Sequence, residues 1–301
     1  MIDPINPTPG IYEGVPFDQY RRIRALNASS MKWGRVSMKH LHAAVNGEIT
    51  GTDSEAKKFG RAVHLRILEP ERYKRDVIIQ GRCCAAKKSG NQCTSTGRYW
   101  LAGDWFCGTH RAPDATEQPD AITREQADLA EQIAYQVNWP QCDGRTELTL
   151  IAEWGGVLCK ARLDWIDREC ILDLKTCEAG AVGNDDCERS IVAYDWHIQA
   201  FWYSSLWAVL TGELLPFRWL FVEKSAPFDS NLIEADDEST LIAEVEVYRI
   251  MDQWRECVRL GKFPGVCEGR DEVFKGGLTD WYRNKFRESP ESVEVTYAEC
   301  A

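Results

Sequence analysis

The sequence predicts an α/β fold with one mixed central sheet flanked by helices, plus a small cysteine-rich insertion. Three observations carry this expectation. Helical and strand periodicities follow one another as helix, hairpin, strand, helix, strand, helix, an order that builds one sheet covered by helices. Two apolar strands are joined by Gly155-Gly156, a strong hairpin signal. Residues 81–112 differ in composition from their surroundings and hold four of the twelve cysteines.

Residues 1–27, rich in Pro, Gly and aromatics, read as an irregular lead-in. Asn27-Ala-Ser-Ser30 supplies N-cap residues for a short helix entering Met31. Residues 40–56 hold Gly, Thr, Asp and Ser and read as a loop. From Ser54 to Leu68, Phe59, Val63 and Leu65 recur at helical spacing until Glu69-Pro70. Residues 113–123 read as a linker, and Thr123 caps a helix running to Asn138.

Strands follow at Glu147–Trp154, Val157–Ile166 and Ile171–Thr176. The stretch from Ile191 to Thr211 reads as one aromatic helix closed by Gly212. A strand at Phe217–Val222 and a long helix over Ser239–Leu260 complete the core. In that helix Leu241, Val245, Tyr248, Met251 and Trp254 are expected near one buried face. The tail beyond Lys262 is punctuated by Gly and Pro. The expected division is a core of residues 1–80 and 113–265, an insertion of residues 81–112, and a tail of residues 266–301.

The 301 residues are 44% hydrophobic and 28% charged, an ordinary globular balance that excludes global disorder and coiled coil. No apolar run of about 18 residues exists, and Met1–Gly10 lacks the pattern of a secretory leader, so a cytoplasmic protein without a membrane span is expected. A net charge of −11 argues at face value against a nucleic-acid partner. The charge is segregated, however. Residues 1–112 carry 18 Lys/Arg against 10 Asp/Glu, and residues 113–301 carry 18 against 37.

Strand parity places Lys160, Arg162 and Asp164 on one face, with Ala161, Leu163 and Trp165 on the other. In the next strand Ile171, Asp173 and Lys175 share a face opposite Leu172 and Leu174. An Asp and a Lys in an otherwise apolar strand are costly to bury without a partner, and a divalent cation would supply one. Carboxylates suit Mg²⁺ or Mn²⁺, and a lysine beside the metal can orient the attacking water and stabilise charge on a phosphate. Lys160 and Arg162 either touch phosphate or solvate the strand, and Trp165, Trp196 and Trp202 are assigned to the core.

The spacing Asp164-x8-Asp173-x-Lys175 on a hairpin and its following strand resembles that of the PD-(D/E)xK nucleases, which implies a restriction-endonuclease-like core. Val157–Ile166 with Ile171–Thr176 resembles the core of the exodeoxyribonuclease VIII (RecE-type) family within that group. Lys58–Pro70 resembles that family's helix with a metal-binding histidine, Trp196–Tyr203 its Gln-x3-Tyr helix, and Asn27–Met31 its serine-containing turn. The resemblance implies that His64, Asp164 and Asp173 hold Mg²⁺ and that Lys175 is the catalytic lysine. It further implies that Gln199 and Tyr203 face the active site and that Glu147, where the hairpin begins, reaches the metal directly or through water. Glu147 facing solvent is the alternative. Leu163 stands where family members often have Pro.

The insertion spaces Cys83, Cys93, Cys107 and His110 as C-x9-C-x13-C-x2-H, which suits tetrahedral Zn²⁺ with no open position, hence a structural site. The segment is similar to a small zinc knuckle of phage and bacterial proteins; Cys84 is the alternative ligand to Cys83, and free thiols the alternative to zinc. Gly90, Gly97 and Gly103 are expected to make its turns. Its basic and aromatic residues suit nucleic acid, with a protein contact as rival. The remaining eight cysteines, Cys142, Cys159, Cys170, Cys177, Cys187, Cys257, Cys267 and Cys300, are expected to be buried thiols.

The residues thus point to metal-dependent phosphodiester hydrolysis. The family resemblance implies a phage-type recombination enzyme: a 5′-to-3′ exonuclease on linear double-stranded DNA, a ring-shaped homo-oligomer and a single-strand annealing partner. A nuclease-fold binding protein and a structure-specific endonuclease of repair or defence are the rivals.

Overall fold

The computed structural model describes residues 2–49, 54–139, 143–268, 276–280 and 283–284. Met1–Gly265 forms one compact unit and Val266–Ala301 another. The expected irregular lead-in contains a strand, β1 (Gly10–Tyr12), and a short helix, α1 (Phe17–Arg22). β1 is legible only through its partner, because its hydrogen bonds go to a strand far along the chain.

Helix α2 (Ala28–Val36) starts at a capping box in which the Asn27 side chain accepts from the Ser30 amide and the Ser30 hydroxyl from the Asn27 amide, each at 3.0 Å. The expected loop after residue 40 is partly helical: α3 (Met38–Val45) is capped by Ser37 and buries Met38 and Leu41. Such a short helix persists through packing rather than propensity. Ser54 caps α4 (Glu55–Leu68), and Pro70 opens a separate helix, α5 (Pro70–Asp76), where its missing N–H is harmless.

The insertion is a small three-stranded sheet. β2 (Tyr99–Leu101) pairs with β3 (Asp104–Phe106), a 3-10 turn spans Gly108–His110, and β4 (Thr116–Glu117) pairs with the far side of β2. The expected linker therefore contributes a strand. Of the three glycines expected at turns, Gly90 and Gly103 have positive φ, whereas Gly97 is a packing glycine whose Cβ would meet Trp105 at 2.4 Å. The chain returns to the core where Ile122 bridges Ile79, and a capping box at Thr123 and Gln126 opens α6 (Arg124–Gln136).

The central sheet is built from β5 (Arg145–Trp154), β6 (Val157–Ile166), β7 (Ile171–Cys177), β8 (Phe217–Glu223) and β9 (Ser230–Glu234), in the order β1-β5-β6-β7-β8-β9. Only β7 and β8 pair in parallel, joined by a crossover containing α7 (Asn184–Ala193) and α8 (Trp196–Thr211). One helix was expected where these two stand. They are separated at Asp195, which takes a left-handed conformation (φ 59°) and pairs with Arg35. α9 (Asp237–Leu260) follows.

α8 lies against β5, β6 and β8, and α2 and α9 pack on α8 around the larger core; α4 and α6 cover the other face around a second cluster. In α9 the buried residues are Ala243, Val247, Ile250, Met251, Trp254 and Cys257, while Leu241 and Val245 are 60% and 63% exposed. Two apolar stripes at helical spacing compete there, and the one with small Ala243 and Cys257 meets the core. Ile171 and the pair Leu172/Leu174 take opposite faces as parity requires. Trp165 does not join Ala161 and Leu163. It packs in the second cluster against Trp139, because the β5–β6 ladder is interrupted between Leu148↔Leu163 and Thr146↔Trp165.

Lys160 neither solvates the strand nor faces an open surface. Its ammonium is buried, donates to the carbonyls of Tyr20 (3.0 Å) and Ile23 (2.6 Å), and sits 4.6 Å from the Tyr20 ring centroid. Burial pulls its pKa from 10.5 down to about 8. Between those values the unfolded chain binds the extra proton, so this lysine makes stability rise with pH through that window. In urea melts the difference between wild type and Lys160→Met is expected to widen in favour of wild type from pH 8 to pH 10.5. Parallel curves would refute the assignment. Of the eight cysteines expected to be buried, Cys159, Cys170, Cys187 and Cys257 are, Cys177 is half-buried and Cys267 is exposed; Cys142 and Cys300 lie outside the described residues. Among the described residues no helix is long and apolar enough to cross a membrane.

Candidate active site

The site forms where β6 and β7 diverge beneath α4 and α8. Asp173 is 2% exposed and accepts from Gln199 Nε2 at 2.6 Å through Oδ1. Its Oδ2 lies 2.5 Å from Lys175 Nζ, an ion contact without hydrogen-bond alignment, so that buried oxygen has no hydrogen bond. Lys175 Nζ also donates to Gln199 Oε1 at 2.9 Å and sits 4.6 Å from the Trp196 ring centroid. One amide therefore braces both members of the Asp173–Lys175 pair, and an indole face backs the ammonium. Trp196, assigned to the core from sequence, is part of the site; its place one helical turn before Gln199 was the available signal.

Asp164 Oδ2 accepts from the Leu174 amide at 2.9 Å and lies 3.4 Å from His64 Nδ1. Burial, with Asp173 and Glu147 nearby, raises the Asp164 carboxyl well above the usual range. Burial lowers the His64 pKa, which favours the neutral ring a metal ligand must be. α4 reaches this position by close approach to β7: a Cβ on Gly60 would lie 3.3 Å from Thr176 Oγ1.

Glu147 sits at the break in the β5–β6 ladder with φ 52°, a conformation that costs a non-glycine residue about 1–3 kcal/mol. Arg162 holds it there through an ion pair in which both side chains are largely buried. Arg162 also donates to the Val15 carbonyl at 2.6 Å and lies over Phe17 (5.7 Å), so it is engaged inside the protein rather than solvating the strand. Removing one partner of such a buried pair typically costs about 3–5 kcal/mol. Tyr203, one turn beyond Gln199, packs edge-on against Phe217 at 6.0 Å. Its phenol is pushed well up by burial, with Tyr20, Asp173 and Asp164 adding to the shift. Tyr20, from the lead-in, is a neighbour that sequence reasoning did not single out; it, too, is raised by burial.

The fold thus brings His64, Glu147, Asp164, Asp173, Lys175, Gln199 and Tyr203 into one region. Asp173 is turned to Lys175 and Gln199, Asp164 to His64, and Glu147 to Arg162. The donor set, one imidazole with hard carboxylate oxygens, is of the kind that suits Mg²⁺ or Mn²⁺, and the buried Asp173 Oδ2 has no hydrogen bond. These donors are turned to separate partners, however, and are not gathered to ligating distance of one another as the four of the insertion are.

The insertion carries a second constellation. Cys83, Cys93, Cys107 and His110 place one ligand atom each within 4.8 Å of one another. Cys107 Sγ is 3.4 Å from His110 Nδ1, Cys83 Sγ is 3.7 Å from it, and Cys93 and Cys107 sulfurs are 4.0 Å apart. A tetrahedral zinc shell has S···N and S···S edges of about 3.5 and 3.8 Å. Cys83 is buried and Cys84 exposed, so the cluster takes Cys83. Hydrogen bonding from the Ser95 amide lowers the Cys93 thiol to about 6.

Comparison with known proteins agrees with this architecture. A protein of Eubacterium rectale, named as a candidate exonuclease, has a crystal structure similar to this chain at 17% identity, with a TM-score of 0.53 over 85% of this chain and 91% of its own. No curated protein sequence matches. The family model described as "PDDEXK-like domain of unknown function (DUF3799)" matches residues 27–274, a span that contains both hairpin strands, the His64 helix and the insertion; the chain belongs to that family.

Proposed function

We propose that this protein is a Mg²⁺-dependent deoxyribonuclease that hydrolyses phosphodiester bonds, acting as a 5′-to-3′ exonuclease on linear double-stranded DNA. The observation that carries the reading is the Asp173–Lys175 pair braced by Gln199, next to Asp164 and His64, in a PDDEXK-like sheet. His64, Asp164 and Asp173 would hold the cation, with Glu147 kept within reach by Arg162. A bound Mg²⁺ supplies Lewis-acid polarisation of the phosphate and a water of lowered pKa. Lys175 places a positive charge where negative charge develops on the scissile phosphate, Gln199 fixes the position of that charge, and Tyr203 fills the wall behind Gln199. Cys83, Cys93, Cys107 and His110 hold a structural Zn²⁺ in the same reading.

Direction, phage-type recombination, a ring-shaped homo-oligomer and a single-strand annealing partner follow from the RecE-type resemblance. The basic surplus of residues 1–112 is the side offered to DNA, and the acidic surplus of the rest faces away. The deciding assay compares linear duplex with covalently closed circular DNA in Mg²⁺. Loss of the linear substrate with survival of the circle is the expected result. Cutting of the circle would make the protein an endonuclease, and no cleavage in either Mg²⁺ or Mn²⁺ would leave a DNA- or protein-binding module.

A further inference from the structure

The cysteine-rich insertion has a surface that the hydrolytic site does not use. Residues 81–112 carry Arg82, Lys87, Lys88, Arg98 and Arg111 against a single acid, Asp104, in a chain whose net charge is −11. Three thiolates, one neutral imidazole and Zn²⁺ would remove only one unit of this surplus. Arg98 is engaged with Glu117, and Arg111 lies over the Tyr99 ring at 4.5 Å. Arg82, Lys87 and Lys88 are exposed and form no ion pair among the described residues. Elsewhere in the chain, Arg72, Arg75, Arg189, Arg218 and Arg259 each have an acidic neighbour.

The aromatic residues divide in the same way. Trp105 is structural: a Cβ on Gly81 or Gly97 would come within 2.4 Å of it. Trp100 stands directly across from Trp105 in the β2–β3 pair yet is 42% exposed. Arg82 follows Gly81, the glycine that packs on Trp105, and Trp100 is the cross-strand partner of Trp105. Lys87 begins the turn closed by the Gly90 amide on the Lys87 carbonyl, which projects Lys87 and Lys88 outward. The segment that follows the insertion reaches the helix bearing His64, since Arg61, one turn before His64, lies 3.4 Å from Asp120 just after β4. Three exposed cations without ion pairs on one small lobe, with Trp100 its one exposed large apolar side chain, fit a polyanion whose bases offer flat faces. They do not fit an apolar protein surface.

We propose that the insertion is a nucleic-acid-binding lobe. Arg82, Lys87 and Lys88 contact the phosphate backbone, and Trp100 stacks on an unpaired base of a strand that reaches the site of hydrolysis. This rests on the deoxyribonuclease reading and adds to it the means of holding DNA outside the site of hydrolysis.

The test measures binding of the zinc-loaded full chain to fluorescent blunt and single-strand-tailed duplexes, by anisotropy across a salt series, with no Mg²⁺ or Mn²⁺. The triple variant Arg82→Ser/Lys87→Ser/Lys88→Ser is expected to bind both DNAs at least tenfold more weakly at about 0.1 M salt, with the log–log salt slope reduced by about 2–3. Trp100→Ala is expected to weaken the tailed duplex by about fivefold or more, with little change in slope. One zinc per chain and an unchanged melting temperature verify that the variants are folded. A triple variant with wild-type affinity and slope overturns the proposal and leaves the surface to a protein partner. Unchanged binding of the tailed duplex by Trp100→Ala overturns the stacking contact. Mg²⁺-dependent cleavage by the wild type, run in parallel, separates the two readings: its absence defeats the deoxyribonuclease assignment, and the salt slopes alone decide the lobe.

Discussion

Lys175→Ala is expected to lower Mg²⁺-dependent digestion of linear duplex by about 10³-fold or more, and Asp173→Asn by a comparable factor. Removing one preorganised charge from a water-poor site typically loses about 10²–10³ in rate, and the orientation of the attacking water is lost as well. The two substitutions perturb one unit, because Gln199 braces both side chains and Asp173 is the ion-pair partner of the ammonium among the described residues. Their combined effect should therefore fall well short of the product of the single effects. Lys175→Ala also leaves the buried Asp173 carboxylate without its cation. In zinc-loaded protein, added Mg²⁺ should then raise the melting temperature of the variant more than that of wild type. Wild-type cleavage by either variant, with the fold intact, would remove these residues from the site.

The second large effect concerns the insertion. Cys107→Ser is expected to lose the bound zinc, seen as the fall from one zinc per chain to none by elemental analysis. Cys107 touches both Cys93 and His110, so its loss opens two edges of the cluster. The apolar core of the insertion is small, since its buried cluster is Cys83, Cys93 and Cys107 with Ala85 packed alongside. Structural zinc is worth about 10–16 kcal/mol in small domains at neutral pH, whereas an apolar cluster of this size could not order the segment alone. Limited proteolysis should accordingly cut within residues 81–117 of the variant while the central sheet resists. Cys84→Ser should keep its zinc, because Cys84 is exposed and outside the cluster. Zinc retained by Cys107→Ser or lost by Cys84→Ser would contradict the ligand set.

Legibility in the sequence followed the range of the forces involved. The Gly-Gly hairpin, the Ser54 and Thr123 caps and the Asp173-x-Lys175 strand are local patterns, and each occupies the element expected of it. β1 and α3 were hidden because distant partners stabilise them; neither Gly10–Tyr12 nor Met38–Val45 announces itself within a short window. In α9 the expectation held for Met251 and Trp254 but not for Leu241, Val245 and Tyr248, because the buried face is rotated toward Ala243, Val247 and Ile250, where α8 and α2 pack. At the site, residue types and spacing pointed to metal and phosphate chemistry, but not to the contacts that position those residues. Arg162 gripping Glu147 in a left-handed conformation, and Trp196 backing Lys175, are contacts between elements that spacing alone cannot specify.

The place where the insertion joins the core has an evolutionary consequence. The Gln80 amide meets the Ile122 carbonyl at 2.7 Å and the Ile122 amide meets the Ile78 carbonyl at 2.9 Å, so the chain departs and returns through one doorway. Between those hydrogen bonds the segment is a detour that leaves Ile78–Gln80 bonded to Ile122, and α5 and α6 each against α4, whether it is long or short. A gene could acquire, exchange or discard such a cassette in one step without re-evolving the sheet. Replacing residues 82–119 by a tight Gly-containing turn should yield a soluble, folded remnant. The PDDEXK-like core and the cysteine-rich insertion would then be separately inherited parts, free to be combined differently in different descendants.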